Sequence, residues 1–168
     1  MNAPRLTDRK GRSQVSSRKI LVVDDDPTIV KLINVNLKLN NYSVVEATSG
    51  EQALKVLAVE PLDLVVLDIM MPGVDGWEVL KRIRGSPETE EMPVILVTAK
   101  TQNSDVIRGW ELGADEYVIK PFNPLLLVEV IRMVLDRSYD ERLERRKKQK
   151  EKLEVLRSLS QPKQDSGS

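Results

Sequence analysis

Residues 62–76 read LDLVVLDIMMPGVDG. Leu62–Leu67 is a nearly unbroken apolar run, without the polar–apolar alternation of a strand wetted on one face. It predicts a strand buried on both faces, as in a parallel sheet with helices on either side. The run ends on an acid, Asp68, followed by Met-Met-Pro and a turn containing Gly73 and Gly76. In an open parallel sheet the C-terminal strand ends share one edge, and ligands bind there. A carboxylate at that position is held rigidly at the mouth of a site, outside the core.

The pattern repeats on both sides of this stretch. Lys19–Val23 is a second buried-strand candidate, and Asp26-Pro27 then opens a helix with an acidic cap and proline at its first position. Tyr42–Ala47 reads as a strand. Ser49 with Gln52 forms a capping pattern before Ala53, Leu54 and Leu57. Asp75 with Glu78 caps a helix carrying Val79, Leu80 and Ile83. Pro93–Val97 is a strand, Ser104–Leu112 a helix closed by Gly113, and Tyr117–Ile119 a strand. Asn123-Pro124 opens a further helix. Five strand–helix alternations predict an α/β domain over residues 19–136, a doubly wound parallel sheet.

Composition narrows the chemistry. The 168 residues contain neither cysteine nor histidine. Disulfides, thiolate metal sites, histidine ligands and histidine acid–base work are all excluded. No apolar run approaches the ~18 residues of a membrane span and no signal-peptide pattern is present, which predicts a cytoplasmic protein. The charges are unevenly placed: residues 1–19 carry +5, residues 20–136 carry −9 and residues 137–168 carry +4.

Each polar anomaly falls at the end of a strand: Asp24-Asp25, Asp68, Thr98 and Lys120-Pro121. Acids that converge repel and raise one another's pKa unless a cation neutralises them. With oxygen ligands alone, the matching ion is hard and divalent, most plausibly Mg²⁺. Lys120 adds a point charge suited to phosphate, and Thr98 a hydroxyl donor. Together they describe phosphoryl transfer onto a carboxylate. Each residue also has a plain reading: a solvated strand-end cap for Asp24-Asp25, a surface lysine, a β-forming threonine, a core tyrosine at Tyr117. Their coincidence at successive strand ends favours the site.

The segments ILVVDDDP (20–27), LDLVVLDIMMPGVDG (62–76), PVILVTAK (93–100) and GADEYVIKPF (113–122) together resemble the receiver domain of bacterial two-component response regulators. The resemblance implies a flavodoxin-like (βα)5 sheet of strand order 2-1-3-4-5. It implies that Asp68 is the phosphoacceptor, and that Asp25, Asp68 and the Met70 backbone carbonyl ligate Mg²⁺, with Asp24 acting through a bound water. It further implies that Lys120 pairs with the acyl phosphate over a cis Lys120–Pro121 bond, that Thr98 and Tyr117 form the switch, and that Asp26 is only a helix cap. The donor would be phosphohistidine on a sensor kinase or phosphotransfer protein. Aspartate-nucleophile phosphatases carry a second acid two residues after the first; Met70 stands there. Met70 and Lys100 flank the path of hydrolytic water in the family, so slow self-dephosphorylation is expected; a phosphoryl half-life of seconds would contradict it.

Residues 125–161 hold neither proline nor glycine. One continuous helix there would span roughly 55 Å at ~1.5 Å per residue. Beyond residue 136 its apolar seam is thin, and three uses are open for the charged extension 137–160: a solvated helix, a weak dimeric coiled coil, or attachment of the basic run Arg145–Lys150 to nucleic acid or membrane. Residues 1–18 and 161–168 read as disordered arms. No helix-turn-helix or catalytic module is evident, so a stand-alone receiver signalling to a protein target is expected. Its output face would be the fourth helix, fifth strand and fifth helix. Arg108, Asp115, Glu116 and Arg132 there partly resemble the dimer-forming pattern of transcriptional receivers, which adds a homodimer to the expected partners.

Overall fold

The computed structural model describes residues 17–160; of the arms read at residues 1–18 and 161–168, all but residues 17 and 18 lie outside the described residues. The elements run β1 (Lys19–Val23), α1 (Pro27–Leu39), β2 (Ser43–Ala47), α2 (Gly50–Val59), β3 (Leu64–Leu67), α3 (Gly76–Arg84), β4 (Val94–Thr98), α4 (Asn103–Glu111), β5 (Glu116–Ile119), α5 (Pro124–Asp136) and α6 (Tyr139–Ser160). The strands form one sheet in the order β2-β1-β3-β4-β5, every neighbouring pair parallel. This is the doubly wound arrangement expected.

The continuous apolar strands divide their side chains between two layers because successive residues point to opposite faces. Leu21, Val23, Val65, Leu67 and Leu96 pack with Ala53 of α2 and with Trp77, Leu80 and Ile83 of α3. Ile20, Val22, Val66, Ile95 and Val97 pack under Val30 and Ile33 of α1 and Leu127 and Ile131 of α5. Each of the buried Val, Leu and Ile side chains among them contributes about 1.5–3 kcal/mol by leaving water.

The caps form as the sequence indicates. Asp26 accepts from Thr28 N–H, Ser49 from Gln52 N–H, Asp75 from Glu78 N–H and Asn123 from Leu125 N–H. Gly113 takes a positive φ of 89° just past α4, the conformation that lets the chain turn into β5. β3 starts two residues later than its apolar run, at Leu64. Asp63 instead turns its carboxylate to the Lys19 N–H of β1, at 2.7 Å.

The C-terminal region departs from the continuous helix. α5 stops at Asp136, and Arg137 is extended at ψ 140°. A reciprocal capping box starts α6: Glu141 N–H donates to Ser138 Oγ at 3.2 Å, and Ser138 N–H donates to Glu141 Oε2 at 2.7 Å. The restarted helix folds back across α4 instead of extending into solvent. No helix among the described residues is long and apolar enough to cross a membrane.

Candidate functional site

Strand register assembles the site. Val23 lies opposite both Ala47 and Leu67, and Thr98 opposite Ile119. The residues that follow therefore emerge side by side at one sheet edge. Asp68 N–H donates to Val23 O at 2.9 Å, and Lys120 N–H to Thr98 O at 2.9 Å. These backbone bonds fix the two functional side chains from below.

Carboxylate oxygens of Asp24, Asp25 and Asp68 all lie within 4.8 Å of one another. Asp24 and Asp68 are buried, whereas Asp25 is exposed. Asp24 Oδ1 accepts from Asp26 N–H at 2.9 Å, and Asp68 Oδ1 from Met70 N–H at 3.2 Å. The Lys120 ammonium bridges the two buried acids, 2.5 Å from Asp24 Oδ2 and 3.2 Å from Asp68 Oδ2. Lys120 and Pro121 are joined by a cis peptide bond.

The electrostatics follow from this packing. Burial, then the Asp24 charge, pushes the Asp68 carboxyl above the usual carboxylate range; Lys120 and the Met70 N–H oppose the shift. Burial favours a neutral Lys120, but the Asp24 hydrogen bond and the Asp68 charge outweigh it, so its ammonium is held above the ordinary lysine value. The chain thus places a carboxylate that is costly to ionise beside a fixed cation. An oxygen-only trio, with the exposed Asp25 at its rim, fits a hard divalent ion, which would relieve the repulsion between the acids.

Thr98 is completely buried at the end of β4. Its Oγ1 accepts from Lys100 N–H at 3.3 Å. Tyr117, half-buried on β5, donates its hydroxyl to Lys100 O at 2.9 Å. Burial, with Asp105 and Asp68 nearby, pushes that phenol up to about 12, so it remains a donor at neutral pH. Met70 projects outward, 54% exposed. It borders an open cavity of about 500 Å³ under the turn that follows β3, lined also by Met71, Trp77, Lys100 and Arg108.

The four residues expected on the output face are not equivalent. Arg132 is on α5, paired with Glu129 at 2.7 Å. Arg108 lies over the Trp77 ring, 4.7 Å from its centroid. Asp115 is not a free surface charge: its side chain is fully covered, and it bonds Val94 N–H at 2.9 Å, Arg84, Arg142 and Arg146. Glu116 is gripped by Arg145 at 2.8 Å and approached by Arg137 at 3.4 Å.

Sequence reading missed two supports of the acidic site. Gly76 N–H donates to Ile69 O at 2.9 Å, so the start of α3 closes directly on the backbone that carries Asp68. Glu51 of α2 accepts from Val74 N–H at 3.2 Å, which ties down the β3–α3 loop. Neither contact has a local sequence signal.

Residues 20–132 match the family model described as the response regulator receiver domain. Among curated relatives, the chain is 41% identical over 124 residues to the response regulator GtcR of Aneurinibacillus migulanus, covering 74% of this chain and 50% of that protein. It is 43% identical over 122 residues to the alkaline phosphatase synthesis transcriptional regulatory protein PhoP of Bacillus subtilis, covering 73% and 50%. The chain therefore spans about half the length of these relatives. A CheY-like receiver domain from Methanospirillum hungatei superposes with a TM-score of 0.68 at 31% identity, over 72% of this chain and 95% of that one. DrrB, an OmpR/PhoB homologue of Thermotoga maritima, superposes with a TM-score of 0.66 at 37% identity, over 72% and 54%.

Proposed function

The chain belongs to the response regulator receiver family, and from that premise we propose that Asp68 accepts a phosphoryl group from a histidine kinase or phosphotransfer protein. An Asp68 carboxylate oxygen attacks phosphorus in line. The bond between phosphorus and the donor's imidazole nitrogen breaks, and its electron pair returns to the imidazole. The observation that carries this reading is the convergence of the three carboxylates within 4.8 Å, with Lys120 bridging the two buried ones.

In the proposal Asp25, Asp68 and the Met70 carbonyl would hold Mg²⁺, with Asp24 contributing through a water. When bound, the ion offsets negative charge on the transferring group. Lys120 supplies a fixed donor for a phosphoryl oxygen, and preorganised charge of this kind needs no rearrangement during transfer. Thr98 donates its hydroxyl to a second oxygen once phosphate is in place. That turns its Oγ away from Lys100 N–H and frees Tyr117 to follow. The protein then works as a switch, with no separate substrate turned over. Lys120→Ala is expected to accept phosphate from acetyl phosphate about tenfold more slowly at saturating Mg²⁺, the scale of one charge-assisted hydrogen bond. An unchanged initial rate would remove Lys120 from the mechanism.

The output in this reading is a changed α4–β5–α5 face presented to a protein target or to a second copy. Regulation at DNA is the second reading, favoured by relatives named as transcriptional regulators. The basic run Arg145–Lys150 supports it poorly, because Arg145 and Arg146 are engaged by Glu116 and Asp115. Duplex DNA binding that falls with salt and disappears on deletion of residues 137–168 would favour it.

A further inference from the structure

We propose that α6 is a reversible ionic latch across the α4–β5 face, seated by Arg142, Arg145 and Arg146 on Asp115 and Glu116, and released when Asp68 is phosphorylated. This rests on Asp68 being the phosphoacceptor.

The attachment is ionic to an unusual degree. The buried residues of α6 are two arginines, Arg142 and Arg146. Its aliphatic side chains stay largely outside: Leu143, Val155, Leu156 and Leu159 are all exposed. A helix held by packing would bury an apolar stripe. Here the inward stripe carries guanidinium groups. Arg142 Nη1 is 3.1 Å and Arg146 Nη2 2.8 Å from Asp115 Oδ1. Arg145 reaches Glu116 with two bonds, at 3.0 and 2.8 Å.

The seat is crowded with positive charge. Arg84 already bonds Asp115 and also donates to Gly113 O, Met92 O and Glu90 O, so it belongs to the receiver core whatever α6 does. Docking α6 adds two more guanidinium groups to one carboxylate. Burial and the Arg146 charge pull Arg84 down to about 10, against the stabilising pull of Asp115. Arg142 Nε is buried without a partner. Buried ion pairs with imperfect compensation contribute little net stability. The helix is therefore built to come off more easily than the rest of the fold.

Its position links it to the site. α6 is fastened to β5 through Asp115 and Glu116 and touches α4 through Arg145 over the Trp110 ring, 5.9 Å to its centroid, and Lys150 near Glu111 at 4.0 Å. Tyr117 follows Glu116 in β5, and its ring lies beneath α4 so closely that a Cβ on Gly109 would sit 3.2 Å from it. The Tyr117 hydroxyl holds Lys100 O, and Lys100 N–H holds Thr98. When Thr98 turns to the phosphoryl group, this chain of contacts loosens and α4 shifts against β5. α6 cannot keep its grip on both. Its departure uncovers Trp110 and frees the Asp115–Glu116 pair.

The test is hydrogen–deuterium exchange of the full chain, with and without beryllofluoride and Mg²⁺, with adduct formation read from its fluorine resonance. Amides of residues 142–153 are expected to exchange about tenfold faster or more in the adduct, with α1 unchanged. The Arg142→Gln/Arg146→Gln double variant alters only α6 and is expected to show the fast exchange in both states. If the adduct forms and residues 142–153 stay equally or better protected, the latch is overturned while the phosphoacceptor reading stands. If no adduct forms, the phosphoacceptor reading fails and the latch with it. If α6 of the double variant stays protected, the ionic seat is refuted.

Discussion

Asp68→Asn is expected to take up no phosphoryl group from acetyl phosphate or a kinase, a loss of about 10²-fold or more set by the detection limit. The amide is nearly isosteric, and its carbonyl oxygen can still accept from Met70 N–H. What disappears is the anionic oxygen proposed to attack phosphorus and one of the three charges clustered where a divalent ion would sit. The same variant is expected to melt a few degrees higher at neutral pH in the absence of divalent metal. Burial and Asp24 raise the Asp68 carboxyl in the fold. The stability it lends is therefore fully present below the unfolded carboxylate value and is lost as pH rises through the raised one. At neutral pH the ionised acid is a net cost that asparagine removes. Phosphate retained on Asp68→Asn would place the acceptor elsewhere, and a lower melting temperature would contradict the cost assigned to burial and to the Asp24 charge.

Gly76→Ala is expected to cost about 3 kcal/mol of stability, at the upper end for overpacking, and to slow phosphorylation. A Cβ at position 76 would lie 2.2 Å from Asp68 O and 2.6 Å from Ile69 Cα. Both are backbone atoms, so no rotamer change relieves the clash. Either α3 withdraws or the Asp68–Ile69 peptide moves, and the second displaces the proposed acceptor, Asp68. Gly85→Ala is the matched control. It has an ordinary helical φ of −87°, a Cβ there would lie 3.2 Å from Lys81 O, and it should stay within about 1 kcal/mol of the parent. Urea unfolding of both variants decides the matter. Equal midpoints for Gly76→Ala and the parent would mean that the close approach is not maintained in solution.

Most of the sheet was legible because strands buried on both faces declare themselves as continuous apolar runs, as Leu64–Leu67 and Val94–Val97 do. Local caps at Asp26, Ser49, Asp75 and Asn123 marked the helix starts by chemistry that acts over two or three residues. The acidic site was legible because strand ends in a parallel sheet share an edge, so Asp24, Asp68, Thr98 and Lys120 had to converge. α6 was not legible in the same way. The charged extension 137–160 left a solvated helix, a coiled coil and nucleic-acid or membrane attachment all open, and only Asp115, at the other end of a nonlocal contact, turns Arg142 and Arg146 inward. One local signal was there: Ser138-x-x-Glu141 is the same capping pattern that marks α2, and it predicts a fresh helix start after Arg137. Gly76 and Gly50 had no such signal. Their tight approaches to Asp68 O and Val74 O depend on how two elements meet.

Asp25, Asp68 and the Met70 carbonyl, with Asp24 acting through a water, are proposed to hold a divalent ion beside which Asp68 alone accepts phosphate. The most direct measurement is peptide mapping of the full chain after incubation with acetyl phosphate across a Mg²⁺ titration. The account predicts one modified residue, Asp68, with labelling that rises with Mg²⁺ and vanishes on chelation. Labelling that is indifferent to Mg²⁺, or an adduct mapped to any other side chain, would contradict it.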